Sequence, residues 1–184
     1  MAKKTTGKIY NSNRIKPYKT PILSTKISMD ATKRKLMLHY IKKRILPTKE
    51  ETIDLLTLRQ VNTTMFITKV LDNGKIDEIY LSTYCMGRKT AEYIKYINVP
   101  TKIVISENYV TTCHGDDFIG QLELDCKRAQ VHAKVTLIKQ KSNYYIITGS
   151  GNFNTNARIE QYTIRNNKEL YTFYKEWMES LWES

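Results

Sequence analysis

Between residues 76 and 106 the apolar pattern changes period twice, and few architectures accommodate that. Ile76 to Tyr84 is β-rich, Lys89 to Ile97 reads as helix, and Lys102 to Ser106 is β-rich again after Pro100. A strand, a helix and a strand in succession imply a sheet with a helix packed on its face. Further along, Gln130 to Lys139 and Asn143 to Thr148 read as two strands joined by the polar turn Gln140, Lys141, Ser142. Glu169 to Trp182 then closes the chain as an amphipathic helix carrying Tyr171, Tyr174, Trp177 and Leu181. The expected class is α/β, a sandwich in which helices flank a mixed β-sheet.

Upstream the pattern is different. Residues 1 to about 28 mix Lys, Arg, Asn, Thr and Pro without a sustained period and read as an extended basic arm. Asp30 suits the N-cap of a helix from Ala31 to about Leu46, with Leu36, Tyr40 and Ile41 on its apolar side and Pro47 as its stop. Thr48 and Glu51 have capping-box spacing, which predicts a second helix through Leu55, Leu56 and Leu58. A third, from Thr63 to Leu71, stops at Asp72, Asn73 and Gly74. Asp116 to about Lys127 is ambiguous and leans to helix on Phe118, Leu122 and Cys126 at spacing four. The expected organisation is an arm at 1–28, a basic N-terminal helical segment at 29–62 and the α/β domain at 63–184, with no internal repeat.

Charge is concentrated where the periodicity is poorest. Residues 1 to 50 hold 14 Lys or Arg against Asp30 and Glu50, which already equals the net +12 of the 184-residue chain. Such asymmetry fits a polyanionic partner, either nucleic acid or an anionic membrane surface, and its bland alternative is a solubilising tail. Tyr10 and Tyr18 lie among Lys8, Arg14, Lys16 and Lys19, where rings could stack on bases while cations track phosphates. Lys33, Arg34, Lys42, Lys43 and Arg44 form the wet side of the helix expected next. No run reaches the roughly 18 apolar residues of a membrane-spanning helix, and no secretory apolar core follows Met1. The widely spaced Cys85, Cys113 and Cys126 make no disulfide framework, so a reducing cytoplasm is the expected compartment.

The chemistry-bearing residues cluster in the second half. With Val131, Ala133, Val135 and Leu137 on one face of a strand, His132 and Lys134 stand on the other, about 7 Å apart at Cα and within reach of one phosphate. One strand later comes Gly149, Ser150, Gly151, Asn152, in which the glycines permit close backbone approach and Ser and Asn offer neutral hydrogen bonds. This is a phosphate-handling set without a carboxylate cage, so neither metal nor cofactor is expected. His39 reads as a surface residue, and Cys113 and His114 with Cys85 and Cys126 match no standard zinc spacing.

His132, Ala133, Lys134, followed by Gly149, Ser150, Gly151, Asn152 and later Glu160, resembles the histidine-lysine motif of the phospholipase D superfamily, over roughly residues 63 to 182. Its members include metal-independent nucleases with one motif per chain. The full motif places an Asp five residues after the Lys, where this chain has Lys139. The resemblance implies that His132 attacks phosphorus, that Lys134 and Asn152 hold non-bridging oxygens, and that Ser150 donates one further hydrogen bond. It implies too that Glu160 accepts from the far nitrogen of His132, and that the leaving oxygen takes its proton from a second motif histidine. Since the chain has one His-x-Lys, that histidine must be His132 of a second copy, in a homodimer. The expected activity is a metal-independent phosphodiesterase, a DNA endonuclease first. The alternatives are a catalytically silent DNA-binding or assembly module of the same fold and, behind it, a lipid phosphodiesterase.

Overall fold

The computed structural model describes residues 46–57, 61, 63–109, 117–154 and 159–183. The expected arm, the helix from Ala31 with Lys33, Arg34, Lys42, Lys43 and Arg44, the cations Lys16 and Lys19, and the pair Cys113 and His114 lie outside the described residues. Eleven elements follow in chain order: β1 (Thr52–Thr57), α1 (Thr63–Leu71), β2 (Glu78–Thr83), α2 (Arg88–Ile97), β3 (Thr101–Ser106), α3 (Phe118–Gln121), β4 (Cys126–Ala129), β5 (Val135–Gln140), β6 (Asn143–Gly149), β7 (Glu160–Asn166) and α4 (Lys168–Glu183).

The strands form one sheet in the order β1-β7-β6-β5-β2-β3-β4. It is mixed, as the sequence led us to expect. β2, β3 and β4 run parallel, with α2 returning the chain between the first two. β5 is antiparallel to both β2 and β6, β7 is antiparallel to β6, and β1 to β7. Strand alternation divides the apolar residues between two layers. Ile79, Leu81, Ile103, Ile105, Ile138 and Ile147 pack with Phe66 and Val70 of α1 and Ala91 and Ile94 of α2. Tyr80, Val104, Val135, Leu137 and Ile146 face the other way, onto Tyr171 and Met178 of α4. Each such side chain, fully buried, contributes about 1.5–3 kcal/mol, so the central strands are apolar on both faces and stay fixed in register. Among the described residues no helix is long and apolar enough to cross a membrane.

Three sequence expectations are corrected. Residues 52–57 form an edge strand instead of a helix, pairing Ile53 with Ile164 and Leu55 with Tyr162. The capping contact itself exists, since Thr48 N–H donates to Glu51 Oε2 at 2.8 Å, but it closes a turn with Glu50 at φ 65°. The edge of β7 then offers a ladder that a short helix here could not match. Among the described residues of the expected 116–127 helix, Phe118–Gln121 alone is helical. Glu123, at φ 52°, breaks the helix, and Cys126–Ala129 pairs with β3. Finally, the strand expected from Gln130 begins at Val135. β7 was not expected: its buried positions are Glu160, Tyr162, Ile164 and Asn166, and two polar residues of the four blur the period-two signal.

Gln140 ties the end of α1 to the sheet. It is 3% exposed, and its Nε2 donates to Val70 O at 2.7 Å and Gly74 O at 2.8 Å. Gln140→Met keeps the length and loses both bonds, so unfolding free energy should fall by about 1–3 kcal/mol. Urea denaturation would show this as a lower midpoint at unchanged slope.

Candidate active site

Because β5 runs opposite to β2 and β6, its N-terminal end lies beside their C-terminal ends, and antiparallel β7 brings Glu160 to the same edge. Four separate segments meet there: 131–134, 84–87, 149–154 and the start of β7. The first is irregular backbone anchored at three points. Val131 N–H donates to Ala129 O at 2.8 Å, Ser82 Oγ to Ala133 O at 3.1 Å, and Gly149 N–H to Lys134 O at 3.3 Å. His132 and Lys134 therefore precede the strand that was expected to carry them. Val131 is buried with Val135 and Leu137 as anticipated, whereas Ala133 is exposed, because the segment leaves the pleat before reaching the ladder.

Side chains converge in two pairs. Lys134 Nζ lies 2.9 Å from Nδ1 and 3.2 Å from Nε2 of the exposed His132, and donates to His132 O at 2.7 Å. The Tyr84 ring flanks the imidazole, centroid to centroid 4.9 Å, and Lys134 Nζ stands 5.9 Å from the same ring. Partial burial holds the Lys134 ammonium below the usual lysine range, and the Glu160 carboxylate acts in the opposite direction. In the second pair Ser150 Oγ donates to Glu160 Oε2 at 2.5 Å and accepts from Gln161 N–H at 3.0 Å. The bond from Gly149 to Lys134 and the Glu160 charge felt at Lys134 couple the pairs. Both ring nitrogens of His132 face Lys134 Nζ, while Glu160, 7% exposed, engages Ser150. Asn152 lies in the same loop, its Oδ1 buried with no hydrogen-bond partner among the described residues.

The two glycines are there for β7. A Cβ on Gly149 would stand 2.4 Å from Gln161 O and 2.6 Å from Tyr162 Cδ1, and one on Gly151 would stand 2.4 Å from the Tyr162 hydroxyl oxygen. Tyr162 is 2% exposed and its hydroxyl donates to Val61 O at 3.2 Å, so it cannot yield cheaply. Neither Tyr162 nor Tyr84 was singled out in the sequence; the usable signal for Tyr84 was its position at the end of a β-rich run. Lys139 pairs with Glu78 and Tyr144 at the far end of β5. Four residues of strand from Val135 place it about 13 Å from the site edge.

Gly149→Ala should therefore force β6 from β7, costing about 1–3 kcal/mol of stability. The same change should lengthen the Ser150 to Glu160 contact, to be read from the thermal midpoint and a crystal structure of the variant.

No protein-family model matches the sequence, and no curated protein matches it significantly. Among solved structures the chain is similar to Nuc, a phospholipase D family member from Salmonella typhimurium, at 18% identity over 72% of this chain and 94% of that one, with a TM-score of 0.57. Lower similarity extends to TrmBL2, an archaeal chromatin protein, at 15% identity over 83% of this chain and 60% of that one, with a TM-score of 0.47. It extends also to polyphosphate kinase from Porphyromonas gingivalis, at 13% identity over 70% of this chain and 24% of that one, with a TM-score of 0.47. The first likeness shows the fold, which is a phospholipase D-like α/β sandwich on a mixed seven-stranded sheet.

Proposed function

We propose that this chain is a metal-independent phosphodiesterase, a DNA endonuclease, whose active site is completed by a second copy. The observation that carries this reading is the meeting of His132 and Lys134 with the loop of Ser150 and Asn152 and with Glu160 at one sheet edge, from segments 8 to 28 residues apart in the chain. In the reaction a ring nitrogen of His132 attacks phosphorus and the bond to the leaving alkoxide breaks, giving a phosphohistidine. Lys134 moves from the imidazole to a non-bridging oxygen, where Asn152 joins it, so fixed donors meet the charge as it develops. Ser150 turns its hydroxyl proton from Glu160 to the phosphate to add a hydrogen bond, and Glu160 balances the Lys134 charge.

The alkoxide takes its proton from His132 of the second copy, which then accepts one from the water that releases the phosphate. Two-fold pairing is the simplest way to bring two identical histidines together. The basic arm (1–28) and the cations from Lys33 to Arg44 supply grip on the DNA backbone ahead of the α/β domain, whose sheet starts at β1 (Thr52–Thr57) rather than at the expected boundary of 63. Lys16 and Lys19 belong to that arm.

Plasmid DNA in EDTA tests the reading. Wild type should nick it, and His132→Ala should lose at least about 10³-fold. Activity that needs Mg²⁺ or survives in His132→Ala contradicts the mechanism, and DNA binding without turnover leaves the silent binding module. Sedimentation should show a dimer, and mixing His132→Ala with wild type should give impaired heterodimers; a fully active monomer would contradict the shared site. Deleting residues 1 to 28 should weaken binding to all sequences alike and flatten the salt dependence by roughly 0.9 log-log units per lost phosphate contact. An unchanged slope would leave the arm a solubilising tail.

A further inference from the structure

His132 is exposed, and its backbone lies outside the ladder, so the sheet does not orient its ring. Among the described residues, the side chains of Lys134 and Tyr84 lie against that ring. Under the phosphodiesterase reading, on which this inference rests, Lys134 turns to the phosphate when substrate binds. The Tyr84 contact then persists.

The position of Tyr84 is itself tightly built. Its neighbours Thr83 and Cys85 are 0% and 6% exposed, and Cys85 O accepts from Thr83 Oγ1 at 3.0 Å and from Phe153 N–H at 3.0 Å. Gly87 N–H donates to Phe153 O at 2.9 Å, and Met86 bridges to Phe153, with both side chains buried. The turn after β2 is thereby fastened to the loop that bears Ser150 and Asn152. A ring projecting from this turn sits at a fixed distance from the phosphate-binding loop, and it meets the imidazole at 4.9 Å with the planes inclined by 49°. Tilted contact of this kind is attractive and restricts the rotation of both rings.

We propose that Tyr84 is a positioning residue for His132: its ring holds the imidazole in place while Lys134 is engaged elsewhere. The ring does this and the hydroxyl does not, so Tyr84→Phe should preserve the role and Tyr84→Leu, which keeps apolar bulk, should remove it. Misplacement of a reacting group by about 1 Å costs on the order of 10²-fold in rate. Substrate grip comes from other residues, so the loss should fall on kcat and leave KM nearly unchanged.

The experiment uses the intact protein and bis(para-nitrophenyl) phosphate in EDTA, together with NMR of the histidine ring protons. In wild type, cross-relaxation between the Tyr84 and His132 rings is expected, with His132 ring signals shifted upfield by the tyrosine ring current. Tyr84→Leu should lose that shift and about 10- to 100-fold in kcat with KM held, and Tyr84→Phe should keep both. Absence of the cross-relaxation in wild type overturns the proposal, whether or not the leucine variant folds. So does a leucine variant that loses the shift yet turns over like wild type, or a fall in rate that the phenylalanine variant shares. A wild type without turnover overturns the phosphodiesterase reading and this role together. It is told apart from failure of the role alone, in which wild type turns over and Tyr84→Leu matches it.

Discussion

Everything at the candidate site depends on β5 running opposite to both of its neighbours. A parallel β5 would carry His132 and Lys134 to the far end of the sheet from the ends of β2 and β6. The antiparallel ladder instead sets the approach to β5 beside Tyr84, Ser150 and Asn152, and β7 delivers Glu160 to the same edge. The tight connection from Gln140 to Asn143 sets that direction, and burial sets the register. Leu137 and Ile138 are both 0% exposed, on opposite faces, and a one-residue slip would exchange the two layers.

Near the site, strand contacts do a second job. Tyr162 lies in β7, where it packs on Phe66 in the core and fills the space beside Gly149 and Gly151. The loop of Ser150 is therefore shaped from below by a buried ring, and Ser150 N–H and Oγ are both spoken for by Gln161. Such support from rigid elements is what holds a polar constellation in place before substrate arrives. Lys139, the departure from the family pattern, sits at the other end of β5 and touches none of these contacts.

The parts legible in the sequence were those whose periodicity one dominant environment controls. α1, α2 and α4 and the central strands show it, since each buries an apolar face or two against a single partner layer. Two of the misread parts, β1 and β4, are the edges of the sheet, and their assignment turns on whether a neighbouring strand offers a free ladder, which local propensity does not record. His132, Lys134, Ser150 and Asn152 stood out in the sequence by residue type and spacing, and Glu160 only through the resemblance. Their partners stood out less. Tyr84 lies in the turn after β2, 48 residues before His132, and that turn is fastened to Phe153.

The most direct measurement is of the covalent bond itself. Protein incubated with a phosphodiester in EDTA and quenched under alkaline conditions, where phosphohistidine survives, should yield by peptide mass spectrometry a phosphoryl adduct confined to His132. The adduct should carry the mass of the phosphoryl group with the one ester substituent that has not left, be absent from His132→Ala and accumulate when release of the monoester by water is slowed. An adduct on another residue, or turnover of DNA with His132 unmodified under conditions that trap the intermediate, would contradict the assignment of this sheet edge as a phosphoryl-transfer site built around His132.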